Sequence, residues 1–479
     1  MAKPPLYVDL DGTLIRSDSM QQAFLTLLRD HPLRVPTAVI TELTRGRAAA
    51  KNYIARYVDL DAEHLPYRAD VLEYVRRAKQ EGRRVVLATG SHLRYAEAAA
   101  KHVGLFDAVF ATGEGPNLIG SHKLESIQKD AGDLGFEYLG DSAADLVLFE
   151  KSHTAGIVGG RRFKPMTNTA VQVHRLAHLH NNEWPQVVRL LRPHQWVKNV
   201  LVFIPAITSH RIFETAVWLP TLLTFVAFCL CASGIYAVND LFDIDSDRRH
   251  PRKRDRPLAS GAVTIPRAML LALLLLIGGI AVGAVAGRVG HAGVLWVVLG
   301  YVSLAHIYSV QLKKRLLVDV MAVAAMYSLR PIAGGVATDL FPSQWLLAFC
   351  MFFFACIAFA KRYTELQARL EAEPGKPLPG RSYEPRDLDI LRVVGPVNGY
   401  LAVLVLALYI QSEAVRPLYS KPQLLWLVCP ILAYWLTRVW FFAHRGSLHH
   451  DPVVFALTDW KSYLAVALTL GLVAVAAVG

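Results

Sequence analysis

Two stretches of this sequence place carboxylates where they could do chemistry. In LYVDLDGTLIRSD a short apolar run ends in Asp9 and Asp11, followed by Gly12 and Thr13. Alone, an Asp-x-Asp-Gly loop can serve catalysis, bind calcium or simply turn the chain. Three further stretches narrow the choice: RRVVLATGSH ends a strand at Thr89, GSHKLESI supplies Lys123, and FEYLGDSAADLVLF ends a strand at Asp141 with Asp145 following. The second carboxylate cluster lies in NDLFDIDSDRRHPRKRDRP, Asn239 to Pro257, between two long apolar runs. On a helix, Asp240, Asp243 and Asp247 share one face, whereas Asp245 points elsewhere. Carboxylates clustered beside a membrane repel one another and lose hydration, so they call for a cation. Mg²⁺ suits oxygen ligands and completes its shell with water or phosphate oxygens, which predicts a phosphorylated substrate. A charged loop would account for Arg248 and Arg249, but not for Asn239 and Asp240 at the end of an apolar helix.

The elements that must position these groups differ between the two halves of the chain. At 479 residues more than one domain is expected. Charged residues fill the first part, to about Arg192; beyond it apolar segments suited to a bilayer recur at 217–239, 268–286, 292–310, 316–337, 344–360, 390–411, 423–443 and 462–478. A shorter run from Asn199, NVLVFIPAI, predicts a ninth helix. Lys and Arg crowd alternate connections, which places those connections and the N-terminal part in the cytoplasm and the C-terminus outside. The net charge of +12 is then largely a matter of topology, and nucleic acid is not an expected partner. No cleaved signal peptide is expected. The five cysteines lie in apolar runs without metal-site spacing and read as small buried hydrophobes. His174, His178 and His180 lack acidic or thiolate partners nearby and read as a solvated or membrane-surface face.

The four N-terminal stretches together resemble the haloacid dehalogenase-type phosphatase superfamily. That resemblance implies a parallel α/β sheet over residues 1–165, with a small helical cap between Ser17 and Tyr74. It further implies Asp9 as the nucleophile that forms an aspartyl phosphate, Asp11 as general acid and base, and Thr89 and Lys123 as holders of the phosphoryl oxygens. Mg²⁺ would be bound by Asp9, the backbone carbonyl of Asp11 and Asp141, supported by Asp145. Taken alone, Lys123 could be a solvated surface lysine, and Thr89 an ordinary strand-end cap residue.

Residues 191–479, joined to the first domain by a linker and amphipathic segment at 166–190, resemble the UbiA-type intramembrane prenyltransferase superfamily, which implies an all-α bundle. The carrier is Asn-Asp-x-x-Asp-x-x-x-Asp. LRPHQWVKNVLVF, YSLRPIAGG and KRYTELQ are most similar to the decaprenyl-phosphate phosphoribosyltransferase branch. The resemblance implies Asp240, Asp243 and Asp247 as metal ligands and Asn239 as a group that orients pyrophosphate. Lys198, Arg254, Arg256, Arg330, Lys361 and Arg362 are available for the extra phosphates of a phosphoribosyl donor and a polyprenyl phosphate acceptor. The second aspartate-rich motif of the superfamily is weak: Asp319 stands alone, as a site residue or a helix start, and Glu365 is isolated. The expected function is a bifunctional, Mg²⁺-dependent enzyme of the bacterial inner membrane. It would transfer 5-phosphoribose to a polyprenyl phosphate and then dephosphorylate the product for cell-envelope glycan synthesis. The alternatives are a prenyltransferase with an aromatic or other acceptor, and a membrane scaffold. A homo-oligomer is compatible with the sequence.

Overall fold

In the computed structural model the described residues are 3–159, 171–176, 184–209, 211, 213–378, 380–413, 415, 419–448 and 452–478. His178, His180 and much of the expected linker lie outside them. The chain forms two compact units: Met1–Arg192 with Tyr236–Leu273, and Pro193–Ile235 with Leu274–Gly479.

The first unit is built on a six-stranded parallel sheet. Its strands are β1 (Leu6–Val8), β2 (Val85–His92), β3 (Ala108–Thr112), β4 (Glu137–Gly140), β5 (Thr154–Val158) and β6 (Gln172–Leu176), in the order β3-β2-β1-β4-β5-β6. Side chains alternate across a strand, so Leu6 and Val8 enter one layer and Tyr7 the other, all fully buried. The strand order reverses between β1 and β4, where a crevice opens at the carboxyl ends. Between β1 and β2 run α1 (Ser19–Asp30), α2 (Val35–Ala55) and α3 (Ala69–Gln80). The first two have a small core of their own around Ala23, Leu27, Ile54 and Val58, which gives the expected helical cap. α4 (Leu93–Val103), α5 (Ser121–Ala131) and α6 (Leu146–Lys151) complete the layers. The sheet does not stop at 165: β6 pairs with β5 along its whole length, within residues expected as linker, and His174 is exposed on it. α7 (Trp184–Leu191) follows.

The remaining elements are α8 (Ile204–Thr208), α9 (Thr215–Phe242), α10 (Ile244–Arg249), α11 (Ile265–Val289), α12 (Gly293–Val310), α13 (Val318–Thr338), α14 (Gln344–Ala372), α15 (Asp387–Gln411), α16 (Val428–His444), α17 (Pro452–Thr458) and α18 (Trp460–Val478). Among the described residues eight helices are long and apolar enough to cross a membrane: α9, α11 to α16, and α18. The expected ninth differs. Residues Pro193–Phe203 form a 3-10 stretch, followed by the five residues of α8. Pro205, at the start of α8, has no N–H to donate one turn back, which favours the break. The five cysteines are buried and free, as their apolar surroundings required.

Candidate active sites

The loop after β1 is wound tightly: the Leu14 N–H donates to the Asp9 carbonyl at 3.2 Å, and the Ile15 N–H to the Leu10 carbonyl at 3.0 Å. Gly12 turns it with φ +76°, and a Cβ there would lie 2.3 Å from a carboxylate oxygen of Asp141. Only glycine fits both the backbone angle and the space. Asp141, just past β4, is thereby brought against the β1 loop.

Around this turn the structure gathers the sequence-predicted groups. Lys123, on α5 and 3 % exposed, donates to Asp9 at 3.0 Å and stands 3.5 Å from Asp145. It is therefore no surface lysine. Oxygens of Asp9, Asp141 and Asp145 lie within 4.8 Å of one another. Three carboxylates facing one ammonium leave excess negative charge, and their hard oxygen donors fit a divalent cation such as Mg²⁺. Tyr138, which sequence reasoning missed, donates to Asp145 at 2.8 Å and accepts from Lys123 at 2.8 Å. Its signal was present in the alternation of β4, where it points the same way as the strand-end Gly140. The Asp11 carboxylate turns to other partners: the Ser19 N–H at 2.8 Å, the Ser19 hydroxyl at 3.0 Å and the Ser91 hydroxyl. Thr89, buried on β2, donates to Ser91 at 3.1 Å. From the cap, Lys51 donates to the Gly90 carbonyl and to Asn117.

Burial pushes Asp9 up to about 6, partly offset by Lys123. Burial and the Asp18 charge raise Asp11 to about 7, near the value that serves a group both giving and taking a proton at neutral pH. Asp9 must be ionised to hold a cation. Mg²⁺ affinity at this site is therefore expected to fall about tenfold per pH unit below about 6 and to be nearly flat above 7. Titration calorimetry across pH 5 to 8 checks this. In metal-free protein the raised Asp9 value has the opposite consequence: stability declines as pH rises from the ordinary carboxylate range, near 3.8, through about 6, because the folded state holds the proton more tightly.

The second cluster is assembled around arginines. The helical register continues through the break at Asp243, whose N–H donates to the Asn239 carbonyl at 2.9 Å, as that of Asp247 does to Asp243 at 2.8 Å. Asp240 and Asp247, both 3 % exposed, are bridged by Arg256, whose Nη1 lies 3.2 and 2.7 Å from them. Arg192 donates to both Asp240 oxygens, at 2.5 and 2.8 Å. It does so from φ +51°, a conformation that costs a non-glycine residue about 1 kcal/mol. Among the described residues the carboxylates of Asp240, Asp243 and Asp247 do not converge as closely as those of Asp9, Asp141 and Asp145. Guanidinium groups provide their counter-charge. Asn239 is half-buried on α9 and Arg254 is exposed.

In the second unit, Arg330 on α13 is 5 % exposed. It donates to the Asn199 side chain at 2.8 Å and the Met326 carbonyl at 2.6 Å, and stands 5.2 and 5.1 Å from the Tyr301 and Tyr327 ring centres. Among the described residues it has no carboxylate partner. Lys198 lies 5.8 Å from the same Tyr327 ring centre, and Lys361 is half-buried on α14. Arg362 is differently placed. It pairs with Asp319 at 2.7 Å and with Glu365, while Tyr383 donates to Asp319 at 2.7 Å. The lone acids of the sequence are thus partners of Arg362, and Asp319 is both a helix-start residue and a buried counter-ion. Tyr383 and Arg381, which lies 3.7 Å from Asp319, come from the connection between α14 and α15 and carried no local signal.

A parallel sheet with a nucleophile-type aspartate at its switch point, on one chain with eight helices among the described residues long and apolar enough to cross a membrane and a carboxylate-arginine cluster, defines a membrane enzyme carrying a phosphatase-type domain. The chain belongs to the UbiA prenyltransferase family, which it matches over residues 202–462, and residues 6–150 match the haloacid dehalogenase-like hydrolases. Transferase and phosphatase activities follow from these two domains. The chain is 34 % identical over 469 residues to an uncharacterized protein, y4nM, of Sinorhizobium fredii, covering 97 % of this chain and 90 % of that one. It is 34 % identical to nodulation protein NoeC of Azorhizobium caulinodans, covering 61 % and 96 %. With the decaprenyl-phosphate phosphoribosyltransferase of Corynebacterium glutamicum it shares 34 % identity, covering 55 % and 74 %.

Proposed function

We propose that the membrane domain transfers 5-phosphoribose from phosphoribosyl diphosphate to a polyprenyl phosphate, and that the phosphatase domain removes the 5-phosphate from the product. The observation that carries the donor assignment is Arg330, a buried guanidinium with no carboxylate partner among the described residues, aligned by Asn199 and flanked by tyrosines. A buried cation held only by neutral acceptors is suited to an anion. Similarity to the Corynebacterium phosphoribosyltransferase points the same way.

In the transfer step, a phosphate oxygen of the lipid forms a bond to the ribose anomeric carbon as the bond to pyrophosphate breaks, and pyrophosphate leaves. Asp240, Asp243 and Asp247 would hold Mg²⁺, which would supply neutralisation of that leaving group. Asn239, Arg256 and Arg254 are the groups suited to orient its oxygens, and Lys198, Lys361 and Arg330 are cations of the second unit suited to phosphate. In the second step an Asp9 oxygen attacks the 5-phosphate phosphorus and Asp11 protonates the departing ribose oxygen. Asp11 then removes a proton from the water that hydrolyses the aspartyl phosphate. Lys123 and Thr89 hold the phosphoryl oxygens. The product, polyprenyl phosphoryl ribose, is a pentose donor for envelope glycans.

This reading places the chain in the bacterial inner membrane with its phosphatase domain in the cytoplasm, on the side of the basic segment after α10.

The test is incubation of the purified protein, Mg²⁺ and polyprenyl phosphate with ribose-labelled phosphoribosyl diphosphate, followed by lipid extraction. Label is expected in the lipid, without its 5-phosphate. No lipid label, together with transfer from a labelled prenyl diphosphate, would establish the prenyltransferase reading instead. Retention of the 5-phosphate would detach the phosphatase from this product.

A further inference from the structure

Asp245, which helical spacing sets apart from Asp240, Asp243 and Asp247, has a partner set that neither activity uses. Asp245 accepts from the Gln22 side-chain amide at 2.7 Å and the Thr26 hydroxyl at 3.3 Å, and lies 3.6 Å from Arg29. All three belong to α1 of the phosphatase domain. In return, Arg248 donates to Gln22 Oε1 at 2.7 Å, and Arg29 donates to the Phe242 carbonyl at 3.1 Å. Gln22 is 2 % exposed and Arg248 6 %. Arg248 is therefore not spent on a solvated, topology-setting loop, as the charge pattern alone suggested.

The chemistry of this contact is specific. A carboxamide presents one acceptor and one donor end, and Gln22 has a guanidinium at the first and a carboxylate at the second. Turning the amide over would set NH₂ against Arg248 and oxygen against Asp245, so its orientation is determined by charge. Buried polar groups matched in this way are costly to separate. Apolar packing surrounds them: Leu25 of α1 shares a buried cluster with Leu241, Ile244, Leu258 and Val263. Further along, a Cβ on Gly261, where φ is +71°, would come 2.6 Å from Arg16 Cβ. The backbone after the basic run therefore lies directly on the β1 loop of the phosphatase.

The same helix reaches the phosphatase site. Ser19, its first residue, holds Asp11 through both its N–H and its hydroxyl. Ser19 and Gln22 are three residues apart and so lie on one face of α1.

We infer that Asp245 and Arg248 form a docking latch with Gln22 and Arg29 that seats the phosphatase domain on the aspartate-rich segment and positions α1, and through Ser19 the proton-transfer group Asp11. Asp240, Asp243 and Asp247 are left for the transferase, while Asp245 serves the phosphatase. Asp245, Arg248 and Gln22 are positioning residues. The inference stands on the phosphatase geometry and does not depend on the identity of the donor.

Hydrolysis of p-nitrophenyl phosphate by the full-length protein with Mg²⁺ tests it. Asp245→Ala and Gln22→Ala are each expected to lower kcat about five-fold, and the double variant also about five-fold, because one latch is broken either way. Asp245→Asn, which still accepts from Gln22, is expected to return to within about two-fold of the parent. Gly261→Val, which alters no charge, should match Asp245→Ala. Unchanged kcat in Asp245→Ala, or additive losses in the double variant, would overturn the latch. Should those variants fail to fold, or the parent show no hydrolysis, the pair Thr26→Cys and Asp245→Cys decides. A short bis-maleimide is expected to join the two peptides, the five native cysteines being buried, and absence of that cross-link overturns the contact itself.

Discussion

Replacing Asp9 with Asn is expected to lower phosphate release by about 10³-fold or more while leaving the transfer reaction intact. The two side chains are nearly isosteric. An Asn oxygen can still accept from Lys123, which keeps its second contact at Asp145, so the buried lysine is not left without partners and the fold is retained. What is lost is the nucleophile, since an amide does not form the acyl phosphate. A charge that would hold the cation is lost as well. Rapid-quench measurement of phosphate release, beside lipid labelling on the same preparation, checks both halves. Release within tenfold of the parent would remove Asp9 from the nucleophile's role.

The complementary substitution, Asp240→Asn, is expected to abolish transfer by at least about 10²-fold with phosphatase kcat held within about two-fold. Asp240 receives two arginines. Arg192 grips both of its oxygens, and Arg256 joins it to Asp247. Burial pushes Asp247 upward and Arg256 draws it down. The cluster is therefore a balanced set of opposite charges before substrate arrives. In the proposed reaction a diphosphate entering with its cation would give the carboxylates a metal to bind and the arginines an anion to hold, so that each group would change partner without being left bare. Asparagine breaks that exchange, because a neutral amide binds a cation only weakly and takes away the charge that Arg192 and Arg256 pair with. Phosphoribosyl or prenyl transfer measured by lipid extraction gives the result, and transfer at the parent rate would exclude the cluster from leaving-group stabilisation.

Much of this protein could be read from local pattern. The strands that lead into Asp9 and Asp141 were legible because a buried parallel strand is a short apolar run, and its carboxyl end is where such sheets place reactive groups; β2, expected to end at Thr89, runs on to His92. Seven of the eight spans and α9 with its terminal aspartates followed from length and apolarity alone. Asp245 was correctly set apart from its neighbours by helical spacing, although nothing local revealed what it faced. The run from Asn199 misled, since its apolar composition suits a membrane helix but Pro205 and the side-chain bonds of Asn199 to Cys229 and Arg330 favour another backbone. β6 was hidden because a five-residue edge strand whose Gln172, Val173 and His174 are exposed resembles a linker until the neighbouring strand is known.

By itself, then, the sequence determined which residue types stand at the ends of which elements: the carboxylates of β1, β4 and α9, the glycine that turns the first loop, and the apolar lengths that suit a bilayer. Those features depend on the period of a helix or strand and on hydropathy, which a linear chain displays directly. Only the tertiary structure decided the partners. Lys123 meets Asp9 across 114 residues and Arg192 meets Asp240 across 48, while Arg248 meets Gln22 across 226. Ion pairs and buried hydrogen bonds depend on distances of a few ångströms, and those distances come into being only when the sheet, cap and helices close on one another.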